Sequence, residues 1–255
     1  MKHTFFKYQG TGNDFVIIDN REGNFSNLDV KSICDRRFGV GADGLMLLEN
    51  IDGYDFKMVY YNSDGAVSSM CGNGGRCLVH FAHSIGVIKK SCTFLAIDGE
   101  HEAKVEGDQV SLKMNDLNEI DFRENSCVLD TGSPHYIKFI KEMPQKDFVS
   151  QASAIRYSSE FKEKGINVNF ILAQANKIVI RTYERGVEDE TLSCGTGVTA
   201  AAIASHAQFN KNEGTFEYEI ESSGGDLKVT FDYQNGSYSN VWLIGPAKEV
   251  FTGLI

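Results

Sequence analysis

Hydrophobic and polar residues alternate over many short segments of this chain, and they recur at helical spacing over a few longer ones. The alternation from His3 to Gln9, a turn at 10–14 and the apolar run Phe15–Asp19 predict a hairpin at the start. Apolar residues three or four apart predict helices at Asp29–Phe38, from Cys71 to a glycine end at Gly86, at Phe148–Tyr157 and at Val198–Phe209. Further strands are predicted at Leu45–Glu49, Phe56–Tyr61, Thr93–Ile97, His101–Val105, Val110–Met114, Val128–Thr131, Tyr136–Ile140, Val168–Leu172, Ile178–Tyr183, Phe216–Glu221, Leu227–Phe231 and Val241–Ile244.

The second half of the chain loosely repeats the plan of the first. In each half, strands precede a cysteine followed by glycines, and one long helix comes next. This repeat predicts an α+β protein of two similar domains that face each other, with the active site in the cleft. No linker rich in Pro, Gly or Ser marks the boundary, which the pattern places near 115–121. We therefore predict domains at 1–116 and 117–244.

The two cysteine motifs are Cys71-Gly72-Asn73-Gly74-Gly75 and Cys194-Gly195-Thr196-Gly197. The first N–H groups of a helix have no partner inside it and carry the positive end of its dipole, so a cysteine there is biased toward thiolate. The same N–H groups can bind a carboxylate, and glycine lets the ligand approach closely. Two thiols in matched settings indicate a proton exchange that uses two bases.

The composition limits where such chemistry takes place. The 255 residues suffice for one large domain or two modest ones, and 42% are hydrophobic. The formal charge of −10 is spread without a basic cluster, which argues against nucleic acid or an anionic membrane as a partner and favours a small molecule. We expect a cytoplasmic protein, because no segment resembles a signal peptide or a membrane span.

The other cysteines and a glycine-rich segment have simpler interpretations. We expect reduced thiols, with Cys34, Cys92 and Cys127 acting as buried small hydrophobes. Cys77, His80 and His83 share a helical spacing but lack the paired spacing of a zinc site, so we expect no metal. Gly39–Gly44 fits a dinucleotide fingerprint, yet it follows a helix and precedes a strand. Because that order is reversed, we interpret the segment as a turn.

Three long motifs together resemble the diaminopimelate epimerase family. They are Tyr8–Phe15, Met70–Cys77 and Glu184–Gly197, and the resemblance extends from the first strand to the last. It implies an epimerase without cofactor that interconverts LL- and meso-diaminopimelate, in the synthesis of lysine and peptidoglycan precursors. It also implies two pseudo-symmetric domains, each a mostly antiparallel sheet wrapped around a central helix. The last segment, 245–255, is then expected to complete the first domain, and a homodimer is one possible assembly.

The resemblance also implies roles for individual residues. Cys71 and Cys194 are the expected acid and base, and the expected substrate-binding residues are Asn13, Asn62, Gly72, Asn73, Asn169, Glu184, Arg185, Gly195 and Thr196. The planar fork of Arg185 can hold a distal carboxylate, and Glu184 can receive an ammonium group. His135 is expected to tune a thiol or to orient the substrate amine.

Two positions depart from the family pattern. Ser133 stands where many members carry a substrate-binding asparagine, and Gly44 stands where some carry a glutamine. Serine keeps a hydroxyl group but loses reach, and glycine offers no side chain. Contacts with the substrate are then fewer, rearranged or made through water.

Three alternatives remain open from the sequence. The first is a racemase of proline, hydroxyproline or histidine with the same architecture, although proline-type enzymes usually read Cys-Gly-His where this chain has Cys71-Gly72-Asn73. The second is a binding protein that has kept the fold without catalysis. The third is a redox response in which oxidation joins Cys71 to Cys194.

Overall fold

The computed structural model describes residues 3–25 and 29–255, which form two compact units. The first unit runs to Leu112 and also includes Gly245–Ile255, and the second is Lys113–Ile244. The division therefore falls shortly before the segment 115–121 in which we placed it.

The first unit is a mixed sheet with two helices. Its elements are β1 (Thr4–Gly10), β2 (Asn13–Asp19), α1 (Val30–Cys34), β3 (Gly44–Glu49), β4 (Phe56–Asn62), β5 (Val67–Ser68), α2 (Gly72–Ser84), β6 (Ser91–Ala96), β7 (Gly99–Glu106) and β8 (Gln109–Lys113). The last strand of the chain, Lys248–Leu254, pairs antiparallel with β1.

The second unit repeats this order of strands and helices after one additional short strand at its start. Its elements are β9 (Asp121–Phe122), β10 (Ser126–Asp130), β11 (Pro134–Phe139), α3 (Phe148–Arg156), β12 (Asn167–Gln174), β13 (Lys177–Glu184), β14 (Asp189–Thr191), α4 (Gly195–Phe209), β15 (Gly214–Ser222), β16 (Gly225–Gln234) and β17 (Ser237–Pro246). The chain then ends with β18, the strand Lys248–Leu254.

Strand pairing follows one scheme in both units. In the first, β1–β2, β3–β4, β6–β7 and β7–β8 are antiparallel, while β2–β3 and β4–β6 are parallel. In the second, β10–β11, β12–β13, β15–β16 and β16–β17 are antiparallel, while β11–β12 and β13–β15 are parallel. The repeat predicted from the two cysteine motifs is therefore present, strand by strand.

The helix that follows each motif packs against the sheet of its own unit. Helix α2 contacts β1, β2, β3 and β7, and α4 contacts β10, β11, β12, β13, β15 and β16. The small side chains of Ala200, Ala201, Ala202 and Ala204 are fully buried on α4, as expected of an alanine-rich helix enclosed by its neighbours. No helix within residues 3–25 and 29–255 combines the length and apolar character needed to cross a membrane.

Two predicted helices have different bounds in the structure. The prediction that a helix extends to Phe38 was wrong, because α1 ends at Cys34. Asp35 is extended there (ψ 125°), and its carboxylate accepts the N–H groups of Arg37 and Phe38, which bends the chain into a turn. Residues 26–28 lie outside the described residues. Helix α4 begins at Gly195, three residues before the predicted start, while α2 ends as expected just before Gly86, whose φ is 76°.

In the glycine-rich segment Gly39–Gly44, residues 39–43 lie between α1 and β3 and reverse the chain, and Gly44 is the first residue of β3. The order is helix, turn, strand, as the sequence indicated. The short strands β5, β9 and β14 were not predicted, and the mostly exposed β18 was expected only from the family resemblance, within the segment 245–255, and not from the hydrophobic pattern. Two or three residues, or a largely exposed strand, carry too little alternation to be recognised.

Candidate functional site

Cys71 and Cys194 occupy the same structural position in their two units. Each is the last extended residue before its helix, with φ/ψ of −99°/131° at Cys71 and −123°/113° at Cys194. Helical hydrogen bonding begins with the Gly75 N–H on the Cys71 carbonyl (2.7 Å) and the Val198 N–H on the Cys194 carbonyl (2.9 Å). The N–H groups of the first helical turn therefore point out of the helix beside each sulfur.

The sulfur of Cys71 contacts the carboxamide of Asn13. The Sγ atom lies 3.7 Å from Asn13 Oδ1, while Asn13 Nδ2 donates to Asp43 Oδ2 at 2.5 Å. Because a carboxylate only accepts hydrogen bonds, the amide nitrogen must face Asp43 and the amide oxygen must face the sulfur.

A network of charges holds Asp43 in place. Arg36 donates to Asp43 Oδ1 at 2.7 Å and to both carboxylate oxygens of Asp14, which also pairs with the buried Lys7 at 2.7 Å. Burial by itself raises the pKa of Asp14, but the hydrogen bonds from Arg36 and Lys7 outweigh it and lower the pKa well below its usual range. Two carboxylates near Asn13, those of Asp43 and Asp14, are thus balanced by two cations, Arg36 and Lys7.

The side chain of Asn73 is buried and bonded within its own unit. Its Oδ1 accepts from Arg76 Nη2 at 3.1 Å and from Thr11 Oγ1 at 3.4 Å, and the fully buried Arg76 also donates to the Gly72 carbonyl at 3.2 Å. The amide oxygen of Asn73 is therefore engaged with protein groups. At this helix end, Gly72 and Asn73 also present the backbone N–H groups of the first helical turn.

Asn62 ends β4 directly opposite Gly44, where a family glutamine is absent. A Cβ atom at Gly44 would lie 2.5 Å from Tyr60 Cε2 and 2.6 Å from the Tyr61 carbonyl oxygen. The close approach of this ring and backbone leaves no room for a side chain, so the glycine is explained by packing.

On the second unit, a chain of polar side chains leads to Cys194. Its Sγ lies 3.5 Å from Thr196 Oγ1, and that hydroxyl lies 2.9 Å from His135 Nε2. The other ring nitrogen, Nδ1, lies 3.0 Å from Asn169 Nδ2. Cys194, Thr196 and His135 were all predicted site residues, and the structure brings them together in one unit.

His135 is fully buried, and this burial, helped by the positive charge of Arg185, lowers its pKa to about 3. The ring is therefore neutral at physiological pH and carries one hydrogen. Gly197 allows the helix to approach it closely, since a Cβ there would lie 2.7 Å from Asn169 Oδ1 and 3.2 Å from His135 Cε1.

The expectation that Asn169 contacts substrate does not fit its surroundings. The residue is fully buried; Nδ2 also donates to the Tyr136 carbonyl at 3.3 Å, and Oδ1 accepts from Thr182 Oγ1 at 2.8 Å. With its amide bonded to protein groups on both sides, Asn169 supports His135 instead of facing a ligand.

Sequence reasoning missed Asn167, two residues earlier on the same face of β12. Its Nδ2 donates to Ser133 Oγ at 2.9 Å, and its Oδ1 accepts the backbone N–H of Arg185 at 2.8 Å. Arg185 is exposed, and its Nη2 reaches Ser133 Oγ at 3.4 Å; Glu184, half-buried, precedes it. The signal available in the sequence was the position of Asn167 directly before the predicted strand Val168–Leu172, and the structure makes it the first residue of that strand.

The remaining cysteines are buried, as expected for Cys34, Cys92 and Cys127, and Cys77 is buried as well. Burial raises the pKa of Cys34 to about 11 and those of Cys77, Cys92 and Cys127 to about 12, so these thiols stay protonated and unreactive. In the described part of the chain, no three His, Cys, Asp or Glu residues form a group that could hold a metal ion.

This chain is similar in sequence and in structure to known proteins. A family model described as diaminopimelate epimerase matches residues 5–118 and 127–250. A protein of Flavobacterium psychrophilum named diaminopimelate epimerase is 49% identical over 251 residues, covering 96% of this chain and 97% of that protein. One of Chlorobaculum tepidum with the same name is 42% identical over 258 residues, covering 96% and 98%.

Among solved structures, a phenazine biosynthesis protein of the PhzF family from Bacillus anthracis is similar with a TM-score of 0.74. The match covers 100% of this chain and 99% of that chain at 13% sequence identity. At such an identity the similarity supports the fold alone, and it agrees with the α+β repeat described above.

Proposed function

We propose that this chain, which belongs to the diaminopimelate epimerase family, interconverts LL- and meso-2,6-diaminopimelate by two-base proton transfer at an α-carbon. The observation that carries the proposal is the matched placement of Cys71 and Cys194 at the N-termini of two equivalent buried helices. We propose these two thiols as the acid and the base.

The chemistry needs a base on one face of the α-carbon and an acid on the other. One cysteine must then be thiolate while the other is thiol, and identical residues suit a reversible reaction. A cysteine titrates near a pH of about 8.5, close enough to neutrality that a helix N-terminus can supply the thiolate without making the thiol a useless acid.

The carbanion formed in the reaction needs stabilisation by the protein. Its charge spreads into the neighbouring carboxylate, which the N–H groups of Gly72, Asn73, Gly195 and Thr196 can bind in the manner of an oxyanion hole. Those groups lie in the first turns of α2 and α4. We assign the substrate's reacting carboxylate to them, and Asn13 and Asn62 to contacts around it.

The distal end of the substrate carries a second carboxylate and a second ammonium group. We propose that Arg185 binds that carboxylate together with Ser133 and Asn167, which are already connected to it by hydrogen bonds. The Ser133 hydroxyl, which Asn167 and Arg185 hold by hydrogen bonds, then takes the place of the longer asparagine that many family members carry at this position. Glu184 is assigned to the distal ammonium group.

The rival function is racemisation of proline, hydroxyproline or histidine. The cluster of Arg185, Ser133 and Asn167 argues against it, because none of these amino acids has a second carboxylate to fill the cluster. A binding protein without catalysis is also disfavoured, since Cys71 and Cys194 are both in place.

Purified protein incubated in deuterated water with LL-diaminopimelate, and separately with proline, hydroxyproline and histidine, tests the assignment. We expect deuterium at the α-carbon of diaminopimelate and none in the other amino acids. Exchange confined to proline, hydroxyproline or histidine would reject the proposal in favour of its rival, and exchange in none of them would favour a binding protein.

Two further parts of the proposal concern the protein in the cell. We propose that it acts in the cytoplasm, where its substrate is a soluble precursor, and that two copies form a homodimer. Sedimentation equilibrium at micromolar concentration gives the mass in solution; a monomer mass would remove the dimer from the proposal and leave the catalytic assignment as it is.

A further inference from the structure

The two cysteines have matched backbones but sulfur neighbours of opposite hydrogen-bonding character. Both residues are extended and precede a helix, so the helix dipole acts similarly on the two sulfurs. Differences between the thiols therefore arise from the side chains around them. Among these are Asn13 at Cys71 and Thr196 at Cys194.

At Cys71, the neighbouring atom is an acceptor. The amide of Asn13 is oriented by the Asp43 carboxylate, which leaves Oδ1 facing the sulfur at 3.7 Å. An acceptor stabilises a thiol that donates its hydrogen and opposes a thiolate.

The buried Arg76 guanidinium acts in the other direction, because its positive charge favours negative charge on Cys71 and Cys77. Its two Nη atoms, however, donate to the Gly72 carbonyl, Thr11 Oγ1 and Asn73 Oδ1. This charge therefore influences Cys71 through space, while the Asn13 oxygen is in direct contact.

At Cys194, the neighbouring group is the Thr196 hydroxyl, and the hydrogen bonds of Asn169 and His135 orient it as a donor. The Tyr136 carbonyl can only accept, so Asn169 directs its nitrogen toward it and toward His135 Nδ1. The hydroxyl of Thr182 meets the oxygen on the other side of the same amide at 2.8 Å. His135 Nδ1 is therefore an acceptor, and the single hydrogen of this neutral ring is on Nε2.

The Nε2–H group then donates to Thr196 Oγ1 at 2.9 Å. With its oxygen accepting from His135, the Thr196 hydroxyl has its own hydrogen left to donate, and Cys194 Sγ lies 3.5 Å away. A hydroxyl donor stabilises a thiolate. On this side, the positive charge of Arg185 adds to the burial of His135 in lowering the pKa of the ring, which helps to keep it neutral.

We infer that the free enzyme rests with Cys194 as the thiolate and Cys71 as the thiol, and that Thr182, Asn169 and His135 are positioning residues that direct the Thr196 hydroxyl to the Cys194 sulfur. This inference rests on the proposed function in giving the two sulfurs their roles as acid and base. Cys194 is then the first base: it takes the α-hydrogen as a proton and the electron pair stays on carbon. Cys71 gives its proton to the opposite face, and exchange with water restores the resting state.

Limited alkylation of the full-length, ligand-free protein with iodoacetamide tests the resting states. The rate of alkylation at each cysteine is followed by peptide mass spectrometry over a series of pH values. The pH at which a rate reaches half its maximum reports the thiolate fraction and does not depend on how accessible the sulfur is. We expect this midpoint to lie about one pH unit or more lower at Cys194 than at Cys71. Equal midpoints, or a lower one at Cys71, would overturn the inference.

Variants of the relay test the positioning residues. Thr196→Val removes the hydroxyl and keeps the shape, so the Cys194 midpoint should rise by about one pH unit while that of Cys71 stays unchanged. Thr196→Ser keeps the hydroxyl and should restore the original midpoint. Thr182→Val, at the far end of the relay, should shift Cys194 in the same direction by less and gives a second test. An unshifted Cys194 midpoint in Thr196→Val would show that the relay does not set its protonation.

Alkylation needs no substrate, so it separates the two hypotheses. If deuterium is exchanged into diaminopimelate but the lower midpoint is found at Cys71, the proposed function stands and this inference is refuted. If the lower midpoint is found at Cys194 but no deuterium is exchanged into diaminopimelate, the inferred protonation states stand and the proposed function is refuted.

Discussion

The Nε2 atom of His135 lies 2.9 Å from the hydroxyl oxygen of Thr196, a residue one position beyond the start of helix α4. This hydrogen bond connects the start of β11 to the helix that begins beside Cys194. It places a neutral imidazole one hydroxyl away from a proposed catalytic sulfur. Because the imidazole is buried, it acts by orientation and not by exchanging protons with water.

The burial of His135 predicts a pH dependence of stability. Its pKa is about 3 in the folded protein, against an ordinary value of 6.5. Between these values the unfolded chain binds a proton that the folded protein excludes, so the free energy of unfolding falls as the pH is lowered through this window. Lowering the pH from 7 to 4.5 should remove about 2 to 3 kcal/mol through this group.

Urea unfolding of the wild type and of His135→Gln at the two pH values measures that contribution. We expect the variant to be less stable than the wild type at pH 7. Between pH 7 and 4.5, its free energy of unfolding should fall by about 2 to 3 kcal/mol less than that of the wild type. A variant with the same pH dependence as the wild type would show that His135 titrates normally in the folded state.

Replacing either proposed catalytic cysteine should abolish turnover. Cys71→Ala and Cys194→Ala each remove the acid or base for one face of the α-carbon, and a proton-transfer group contributes about 10²- to 10⁴-fold to rate. The assay is the loss of LL-diaminopimelate with formation of the meso form. Cys127→Ala is the control, since that buried thiol has its pKa raised to about 12 and no assigned role. Substantial activity in either single variant would refute the two-base mechanism.

Weakening the distal cluster should change binding more than chemistry. Arg185→Lys keeps the charge but loses the planar fork, so KM should rise about tenfold with a smaller change in kcat. Asn167→Ala removes groups that hold Ser133 and the Arg185 backbone, and should raise KM in the same way. Unchanged steady-state kinetics in Arg185→Lys would mean that another residue binds the distal carboxylate.

A side chain at Gly44 should destabilise the first unit. In Gly44→Ala the new Cβ meets the Tyr60 ring and the Tyr61 carbonyl at under 3 Å, and such overpacking costs about 1 to 3 kcal/mol. Gly74→Ala is the matched control, because a Cβ atom at Gly74 would lie 3.2 Å from its nearest neighbour, the sulfur of the flexible Met46 side chain. Thermal melting compares the two; a Gly44→Ala protein as stable as the control would show that Tyr60 moves aside without cost.

Periodicity and turn chemistry were sufficient to predict most of the fold from the sequence. The long helices after Cys71 and Cys194 carry strong apolar and small-residue patterns, and the strands of both units alternate clearly. Helix α1 was overextended because Val30, Ile33 and Arg37 have helical spacing, while the competing bonds from the Asp35 carboxylate to the following N–H groups leave no periodic signal.

The candidate site was predictable where a motif coincides with a helix start, as at Cys71 and Cys194. It was not predictable where burial decides the role. Asn167 and Asn169 are the same residue type on one strand, and only packing shows that Asn169 faces His135 while Asn167 lies beside Arg185. The partnership of Thr182 with Asn169 depends on the pairing of β12 with β13, which the sequence does not specify residue by residue.

The central claim is that two thiols act on opposite faces of one carbon, and the position of solvent deuterium at low conversion tests it most directly. The protein is incubated with LL-diaminopimelate in deuterated water, and substrate and product are separated and analysed by mass spectrometry before a tenth is converted. We predict one deuterium at the inverted α-carbon of the meso product, donated by the exchanged thiol, and a remaining LL pool that stays unlabelled. Deuterium entering the LL pool as fast as the product would indicate a single base serving both faces and would contradict the account.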